Sequence, residues 1–410
     1  MVQESLDGAE SKLRMTDPLN ARELLAAPEQ EQRSRGYFHT LREILQQPAT
    51  WLDTCARVLA DSRPLGSLAD GIQSLALTGS GSSLFACECV APVLRKELGV
   101  TAEAIGAGAL VTQGIAALPS GRPGLLVSVA RSGDSPESGA AVSLVRDTEP
   151  QMRQLAITCN AAGHLATTYR DDDRVRVILL DDRVNDRSVA MTSSVTNMVL
   201  AARFLGMWRA PERYRRLCER LSRACEEILE SGLAALPRVT ATGFRRAVFL
   251  GSGSRFGAAR ESALKMLEMT AGRVSTLCET YLGVRHGPLS YVDEDTIIVC
   301  FFASDPLLRA YESDLIRELN RKRLGMAKVI VGENVPAELL RDGDTVIECR
   351  GLAEIGDENA PVLDVAVGQL LATFRCLGEG LRPDSPSEHN VINRVVESFP
   401  IHHRAGSTQP

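Results

Sequence analysis

The feature that most constrains this chain is a repeated tetrapeptide. Gly79-Ser80-Gly81-Ser82 recurs as Gly251-Ser252-Gly253-Ser254, 172 residues later. Each copy follows an apolar run and precedes a stretch with helical patterning, which is the order of elements at the carboxyl edge of a parallel α/β sheet. The repeat therefore indicates a tandem duplication of one α/β unit.

Short apolar strands alternate with helix-patterned stretches in both halves, which predicts parallel βαβ units. Strands are expected at 75–78, 125–130, 155–158 and 175–180 in the first half, and at 247–250, 296–302, 328–331 and 345–348 in the second. The predicted fold class is α/β, with two tandem doubly wound parallel-sheet domains of the flavodoxin-like kind. The predicted organisation is a flexible N-terminal lead over 1–35, a first domain over 36–210, a second domain over 211–380 and a C-terminal tail over 381–410.

Composition limits the partners that the chain is expected to bind. The 410 residues suffice for two domains of about 150 residues plus extensions. The net charge is −6 and no basic run occurs, which disfavours nucleic acid as a partner. Ten cysteines lie scattered without C-x-x-C spacing, and no signal region or long apolar span is evident, so we expect a cytoplasmic protein that does not cross a membrane.

The serine-rich loops of the first half predict an anion site. Ser80, Ser82 and Ser83 follow the first strand, and Ser132 and Ser135 follow the second. Because parallel strands end at one edge, their hydroxyl and backbone N–H groups converge there, as a phosphate requires. Ordinary N-cap serines are the alternative for either loop alone, and the two loops together favour phosphate.

The second half lacks the matching serines. It reads Phe302-Ala303-Ser304-Asp305-Pro306 where the first half reads Ala130-Arg131-Ser132-Gly133-Asp134-Ser135, so only one phosphate site is expected. No G-x-G-x-x-G or G-x-x-x-x-G-K-[ST] opens a helix, which disfavours NAD and nucleoside triphosphates. No cofactor is expected, and no metal either, since no His, Cys, Asp or Glu cluster has the spacing of metal ligands.

Three charged residues on one predicted helix suggest proton transfer. Glu261, Lys265 and Glu268 are spaced to share one face of an otherwise apolar helix, and His286 follows in Arg285-His286-Gly287-Pro288. A carboxylate, an amine and an imidazole near a phosphate site suit reversible proton transfer on a bound sugar. A solvated salt-bridge row remains the alternative for the helix, and a capped turn remains the alternative for the histidine.

Several longer motifs carry a family resemblance over roughly residues 37–400. These motifs are Leu41 to Pro48, Ala130 to Ser138, Asn185 to Ser194, Glu261 to Glu268, Leu282 to Pro288 and Asn393 to Val396. In them the chain resembles the two-domain sugar isomerase (SIS) superfamily, and within it the group of tagatose-6-phosphate ketose/aldose isomerases and galactosamine-6-phosphate deaminases.

The resemblance implies roles for the binding residues. Ser132 and Ser135 would hold the phosphate, with Arg131 standing where the related isomerase domain of glucosamine-6-phosphate synthase has a glutamine. Ser82 and Ser83 would line the sugar end of the site.

It also implies the catalytic residues. Glu268 would be the base at C2, Lys265 its neighbouring amine, and His286 the acid/base that opens the sugar ring. In the superfamily this histidine crosses a subunit or domain interface, so a homodimer or higher homo-oligomer is implied. Neither a metal nor a redox cofactor is implied.

The function implied by the resemblance is deamination and isomerisation of a hexosamine 6-phosphate, with galactosamine 6-phosphate favoured and tagatose 6-phosphate and ammonia as products. The alternatives are keto/aldo isomerisation without deamination and a non-catalytic sugar-phosphate sensor. The chain departs from the group at Cys278-Glu279-Thr280-Tyr281, at Leu289 and at Glu388-His389-Asn390. These departures lie near the expected sugar end, so the resemblance constrains the reaction class more than the substrate.

Overall fold

Two five-stranded parallel sheets, one from each half of the chain, form the framework. The structure, a computed structural model, describes residues 18–387 and 391–402. The first sheet consists of β1 (Ser74–Gly79), β2 (Thr101–Gly106), β3 (Gly124–Ala130), β4 (Met152–Thr158) and β5 (Val175–Leu179). The second consists of β6 (Arg246–Leu250), β7 (Ser275–Glu279), β8 (Thr296–Phe301), β9 (Ala327–Gly332) and β10 (Thr345–Glu348).

Helices cover both faces of the sheets, and proline begins several of them, because its fixed φ suits the first helical turn. The first half contains α1 (Ala21–Ala26), α2 (Glu29–Ser34), α3 (Phe38–Leu45), α4 (Gln47–Ala60), α5 (Ser62–Ala69), α6 (Ser82–Leu98), α7 (Ala107–Gln113), α8 (Pro136–Thr148), α9 (His164–Tyr169) and α10 (Ser193–Met207). The second contains α11 (Pro211–Ala241), α12 (Ser254–Met269), α13 (Pro306–Lys322), α14 (Leu352–Ile355) and α15 (Pro361–Gly378).

The two sheets have the same strand order. It is β2-β1-β3-β4-β5 in the first and β7-β6-β8-β9-β10 in the second. Ser74 pairs in parallel with Thr101, and Arg246, 172 residues later, pairs in parallel with Ser275. The prediction of two doubly wound parallel-sheet domains is confirmed, and β1 and β6 are equivalent strands.

The halves meet where α6 packs against α12. Arg260 donates a hydrogen bond to Glu88, which occupies the equivalent position one repeat earlier. A Cβ atom added at Gly257 would lie 2.7 Å from the backbone nitrogen of Cys89. Glycine is therefore what allows the two helices to approach so closely, and this approach brings the carboxyl edge of the first sheet next to α12.

Helix α15 lies at the centre of the molecule. Among the described residues it alone has the length and mean hydropathy of a membrane-crossing helix, and 89% of it is buried inside the protein. Its side chains pack against α11 and α12 in the main apolar cluster. Burial on all sides explains why its sequence is apolar all round.

The chain ends differ from the sequence prediction. Part of the lead that was predicted to be flexible is helical, in α1 and α2, and Tyr37 Oη donates to the carbonyl of Leu24 at 3.0 Å. At the other end, the Asp384 carboxylate accepts from the Thr40 backbone N–H at 2.7 Å. The segments around Leu24 and Asp384 are therefore tied to the body of the protein by hydrogen bonds, and the domain boundaries stay predictions.

Candidate active site

A cavity of about 490 Å³ lies at the carboxyl edge of the first sheet. It brings together the two serine loops, the end of α12 and a segment near the C-terminus. Its lining residues are Ser80, Gly81, Ser82, Ser83, Ala130, Arg131, Ser132, Ser135, Ser138, Val189, Met191, Glu268 and residues 391–397. All six residues predicted to bind substrate line this one cavity, together with the predicted base.

The first serine loop joins β1 to α6 in a tight turn. Gly81 has a φ of 55°, and the Ser83 N–H donates to the carbonyl of Ser80 at 3.1 Å. A Cβ atom at Gly79 would lie 2.7 Å from the carbonyl carbon of Ser83, so a side chain is excluded there. The turn places Ser82 and Ser83 in the first turn of α6, where the helix dipole favours an anion.

The second serine loop joins β3 to α8. Ser132 Oγ accepts from the Asp134 N–H at 3.2 Å, and the Asn160 side chain donates to the Ser132 carbonyl at 3.1 Å. Ser135 directly precedes α8, and its side chain forms no capping hydrogen bond with the helix. Ser135 also lines the cavity. Two helix N-termini, those of α6 and α8, therefore border the same cavity, which is the arrangement that a phosphate dianion requires.

Arg131 is buried, and its guanidinium donates to backbone carbonyls. Nη1 donates to the carbonyls of Ser188 and Val189, each at 3.1 Å, and Nη2 donates to the carbonyl of Arg394. Burial lowers its pKa. The phosphate-binding role of Arg131 stays a prediction, and the contacts within the chain are those of a residue that holds backbone segments in place.

The acid/base helix α12 places a buried lysine between two carboxylates. Lys265 Nζ donates to Ser82 Oγ at 3.0 Å and to Glu268, and it lies 3.5 Å from Glu261 Oε1. The side chains of Glu261 and Lys265 are 0% and 1% exposed, whereas that of Glu268 is 26% exposed. A solvated salt-bridge row is excluded by this burial, and only Glu268 of the three lines the cavity.

Burial and mutual charge set the protonation of this cluster. Burial raises the pKa of Glu261 to about 7, against the attraction of Lys265, which lowers it. Burial also lowers the pKa of Lys265, but Glu261 and Glu268 outweigh it and raise the pKa overall. Lys265 therefore stays an ammonium at neutral pH and cannot accept a proton, and Glu268 is the carboxylate of this cluster that lines the cavity.

A buried polar network holds the loop 185–194 beside the cavity. The Glu43 carboxylate accepts from the Arg187 N–H at 2.5 Å and from Ser188 Oγ. Burial, followed by repulsion from Asp186, raises the pKa of Glu43 to about 7. Asp186 in turn accepts from the Thr192 N–H at 2.7 Å.

The sequence reasoning assigned no role to Glu43 or Asp186. The polar residues directly before the apolar α10 could have indicated this loop, because polar side chains often cap the N-terminus of a helix.

His286 lies outside the cavity of its own chain. It follows the short 3₁₀ turn Gly283–Arg285 and is exposed. Arg285 Nε donates to Glu318 on α13 at 2.8 Å, which anchors the turn to the second domain. The structure therefore brings together Glu268 and Lys265 but not His286.

The equivalent loops of the second half are occupied by the chain's own carboxylates. Glu312 accepts from Ser252 Oγ and from the Ala303 N–H, each at 2.7 Å. Asp357 accepts from the Ser304 N–H at 2.9 Å. The equivalent backbone and hydroxyl donors of the second half are thus used internally, and the expectation of a single phosphate site stays a prediction.

The serine loops of the first half form the first cradle, and the equivalent loops of the second half form the second cradle. Arg255 fills the remaining space of the second cradle. It stands one repeat after Ser83 and is fully buried. Its guanidinium forms a two-pronged ion pair with Asp364, with both contacts at 2.7 Å, and donates to the carbonyl of Phe302 at 2.6 Å. A buried guanidinium in the place of a serine closes the site to a ligand.

The described residues contain no group of three or more His, Cys, Asp or Glu side chains arranged to hold a metal ion. Two doubly wound domains that place one serine-lined cavity and a Glu–Lys pair at their junction define the two-domain sugar isomerase (SIS) class of proteins.

Comparisons with known proteins agree with this class. A candidate D-galactosamine-6-phosphate deaminase AgaS of Streptomyces coelicolor is 38% identical over 371 residues, which cover 89% of this chain and 95% of that protein. The D-galactosamine-6-phosphate deaminase AgaS of Escherichia coli is 34% identical, with coverages of 88% and 95%. No protein-family model matches the chain.

Solved structures show the same relationship. A candidate tagatose-6-phosphate ketose/aldose isomerase of Clostridium novyi NT superposes with a TM-score of 0.86 and 32% identity, covering 92% of this chain and 98% of that one. The tagatose-6-phosphate ketose/aldose isomerase of Escherichia coli superposes with a TM-score of 0.80 and 30% identity, with coverages of 95% and 99%. This chain belongs to the AgaS family of SIS proteins.

Proposed function

We propose that this protein is an aminosugar-phosphate deaminase/isomerase, which converts a hexosamine 6-phosphate and water to a ketohexose 6-phosphate and ammonia. Galactosamine 6-phosphate is the favoured substrate and tagatose 6-phosphate the favoured product. The observation that carries the proposal is that Glu268 of the second half lines the same cavity as the serine loops of the first. The AgaS relatives, whose names specify this deamination, support the choice of substrate.

Substrate binding follows from the shape of the cavity. The phosphate binds at the N-terminus of α8 with Ser132 and Ser135, where hydroxyls and the helix dipole favour a dianion. The sugar then extends toward Ser82, which accepts a hydrogen bond from Lys265. This orientation brings C1 and C2 of the sugar toward Glu268.

The chemistry requires a base, a nearby cation and water. Ring opening exposes the C1 aldehyde, which acidifies the proton on C2. Glu268 removes that proton to give an enolamine and returns it to C1, which leaves an imine at C2. Water adds to the imine carbon and ammonia departs, so that the C2 ketone forms. The Lys265 ammonium stabilises the negative charge that develops during proton transfer.

We also propose that ring opening uses His286 from a second copy of the chain, in a homodimer or higher homo-oligomer. The exposed position of His286, away from its own cavity, supports this arrangement. The ten cysteines are free thiols, which is compatible with a cytoplasmic location.

A second candidate function is keto/aldo isomerisation of tagatose 6-phosphate without loss of ammonia. It is favoured by the solved structures of the family that are named for this activity. The same base and phosphate site serve both reactions, because both begin with proton transfer between C1 and C2.

The deciding experiment is a substrate panel with the purified protein. Galactosamine 6-phosphate, glucosamine 6-phosphate and tagatose 6-phosphate are incubated separately, and both ammonia and the sugar isomers are measured. Release of ammonia from galactosamine 6-phosphate is the expected result. Isomer formation without ammonia favours the second candidate, and binding without turnover of any of the three sugars favours a sensor and rejects both enzymatic functions.

A further inference from the structure

The C-terminal segment 391–397 forms one wall of the cavity, yet apolar burial does not hold it there. Val391 is 81% exposed, Val396 is 56% exposed and Ile392 is 37% exposed. Val391 and Val396 remove little apolar surface from water, and of the three only Ile392 is mostly buried, so hydrophobic packing alone fixes the segment weakly. Another interaction must hold the wall against the serine loops.

Two arginines supply that interaction, and they bind the same loop. Arg394 Nε donates to the Asp186 carbonyl at 2.6 Å, and its Nη2 donates to Asn185 Oδ1 at 2.5 Å. Arg131 donates to the carbonyls of Ser188 and Val189, as described above. Arg394 thus binds the beginning of the loop 185–189, and Arg131 binds its end.

The arginines are also joined to each other, since Arg131 Nη2 donates to the backbone carbonyl of Arg394. These hydrogen bonds therefore link three segments that lie far apart in sequence: the end of β3, the loop 185–189 and the C-terminal segment. The loop is itself anchored, because the Glu43 carboxylate accepts from the Arg187 N–H and the Asp186 carboxylate accepts from the Thr192 N–H before α10.

We propose that Arg131 and Arg394 form a clasp that holds residues 391–397 over the sugar-phosphate, so that both are positioning residues for the reaction. This inference rests on the proposed function as far as the ligand is concerned. Arg131 acts through the wall it anchors rather than through a contact with phosphate. Arginine suits this task because its planar guanidinium holds five N–H donors in a fixed fork, whereas the lysine ammonium has three donors at the end of a flexible chain.

The test uses the full-length variants Arg131→Lys, Arg394→Lys and the double variant. A Glu-specific protease reports the release of the wall by its rate of cleavage after Glu397, which is exposed and is not altered by the substitutions. We expect cleavage to accelerate about tenfold in each single variant, and KM for the substrate to rise about tenfold while kcat changes much less. The double variant should resemble the single variants, because one clasp is lost in each case.

Arg309→Lys is the matched control. Arg309 also donates to backbone carbonyls, those of Ala303, Glu333 and Asn334, but in the second half and away from the cavity. Its cleavage rate and KM should match those of the wild type.

Two outcomes would overturn the clasp. The first is a raised KM in Arg131→Lys with an unchanged cleavage rate, which indicates direct contact of Arg131 with phosphate. The second is an Arg394→Lys variant whose cleavage rate and KM equal those of the wild type. Because Arg394 lies in an exposed segment, this substitution does not unfold the core. If the wild type turns over none of the panel sugars, the proposed function fails, while the cleavage rates still decide whether the clasp exists.

Discussion

At the scale of the residue, the protein separates charge that is used for chemistry from charge that is used for structure. Glu268 is partly exposed to the cavity, whereas Glu261 and Lys265 behind it are buried. In the second half, the buried charges of Arg255 and Asp364 neutralise each other. Exposure to a ligand therefore distinguishes the candidate base from charged residues of the same type in the same helices.

Replacing the candidate base should abolish turnover but preserve binding. In Glu268→Gln we expect kcat to fall by about 10² to 10⁴-fold, because an amide cannot accept the C2 proton. Binding of the sugar phosphate, measured by calorimetry, should change little, since the serine loops remain intact. A variant that retains most of its kcat would contradict the assignment of Glu268 as the base.

The raised pKa of Glu261 predicts a specific dependence of stability on pH. Its folded-state pKa is about 7 and its ordinary value is 4.5, so the folded protein binds the proton more tightly than the unfolded chain. This contribution to stability is fully present below pH 4.5 and is lost as the pH rises to about 7. The loss is at most on the order of 3 kcal/mol.

Urea unfolding at pH 5 and pH 7.5 measures this effect. Glutamine stays neutral at both pH values, so Glu261→Gln does not lose this contribution. Its free energy of unfolding relative to that of the wild type should therefore be higher at pH 7.5 than at pH 5. Glu230→Gln, an exposed substitution on α11, is the control and should leave the pH dependence as it is. If the free energies of unfolding of Glu261→Gln and the wild type change equally between the two pH values, Glu261 does not titrate in this range.

At the scale of the element, the close pairing of α6 and α12 makes the site a joint product of both halves. Ser82, at the start of α6, contacts Lys265 on α12. This contact depends on the separation between the helices, which Gly257 sets by leaving room for the backbone of Cys89. A change in that separation should act on stability and on the site together.

Gly257→Ala tests this separation. Alanine favours a helix by about 1 kcal/mol, but its methyl group meets the backbone of Cys89, and overpacking of this kind costs about 1–3 kcal/mol. We expect a net loss of stability by denaturant unfolding and a lower kcat. Gly108→Ala on α7, where a Cβ atom meets nothing within 4 Å, should be neutral or stabilising. Equal behaviour of the two variants would exclude the tight helix contact.

At the scale of the whole molecule, two halves with the same strand order form one open site and one closed site. The first cradle faces a cavity, whereas Glu312, Asp357 and Arg255 occupy the second. The second half contributes Glu268 of α12 to the cavity of the first. On the proposed function, its exposed histidine serves a second copy of the chain.

Mixing two inactive variants tests the role of the second copy. Glu268→Gln and His286→Ala are each expected to be inactive, and their subunits are reassorted by mild denaturation and renaturation. In a dimer, half of the assemblies are mixed and each has one intact site of two, so about a quarter of the wild-type activity should return. No recovery would show that His286 does not act across the interface.

Local patterns in the sequence were enough to predict the duplication, the doubly wound class, the serine loops and the shared face of Glu261, Lys265 and Glu268. Each of these depends on residues a few positions apart, whose spacing follows directly from helix and strand geometry. The strands β2 and β7 were missed, because edge strands are only partly buried and carry a weak apolar pattern.

Tertiary structure alone decided how distant segments use their polar groups. No local pattern reveals that Arg131 donates to carbonyls near residues 188 and 394, or that Glu312 and Asp357 occupy the second cradle. A buried donor or acceptor must find a partner, but which partner it finds depends on the packing of the whole chain. The sequence therefore determined which groups the site contains, and the packing of the two halves decided which of them face the ligand.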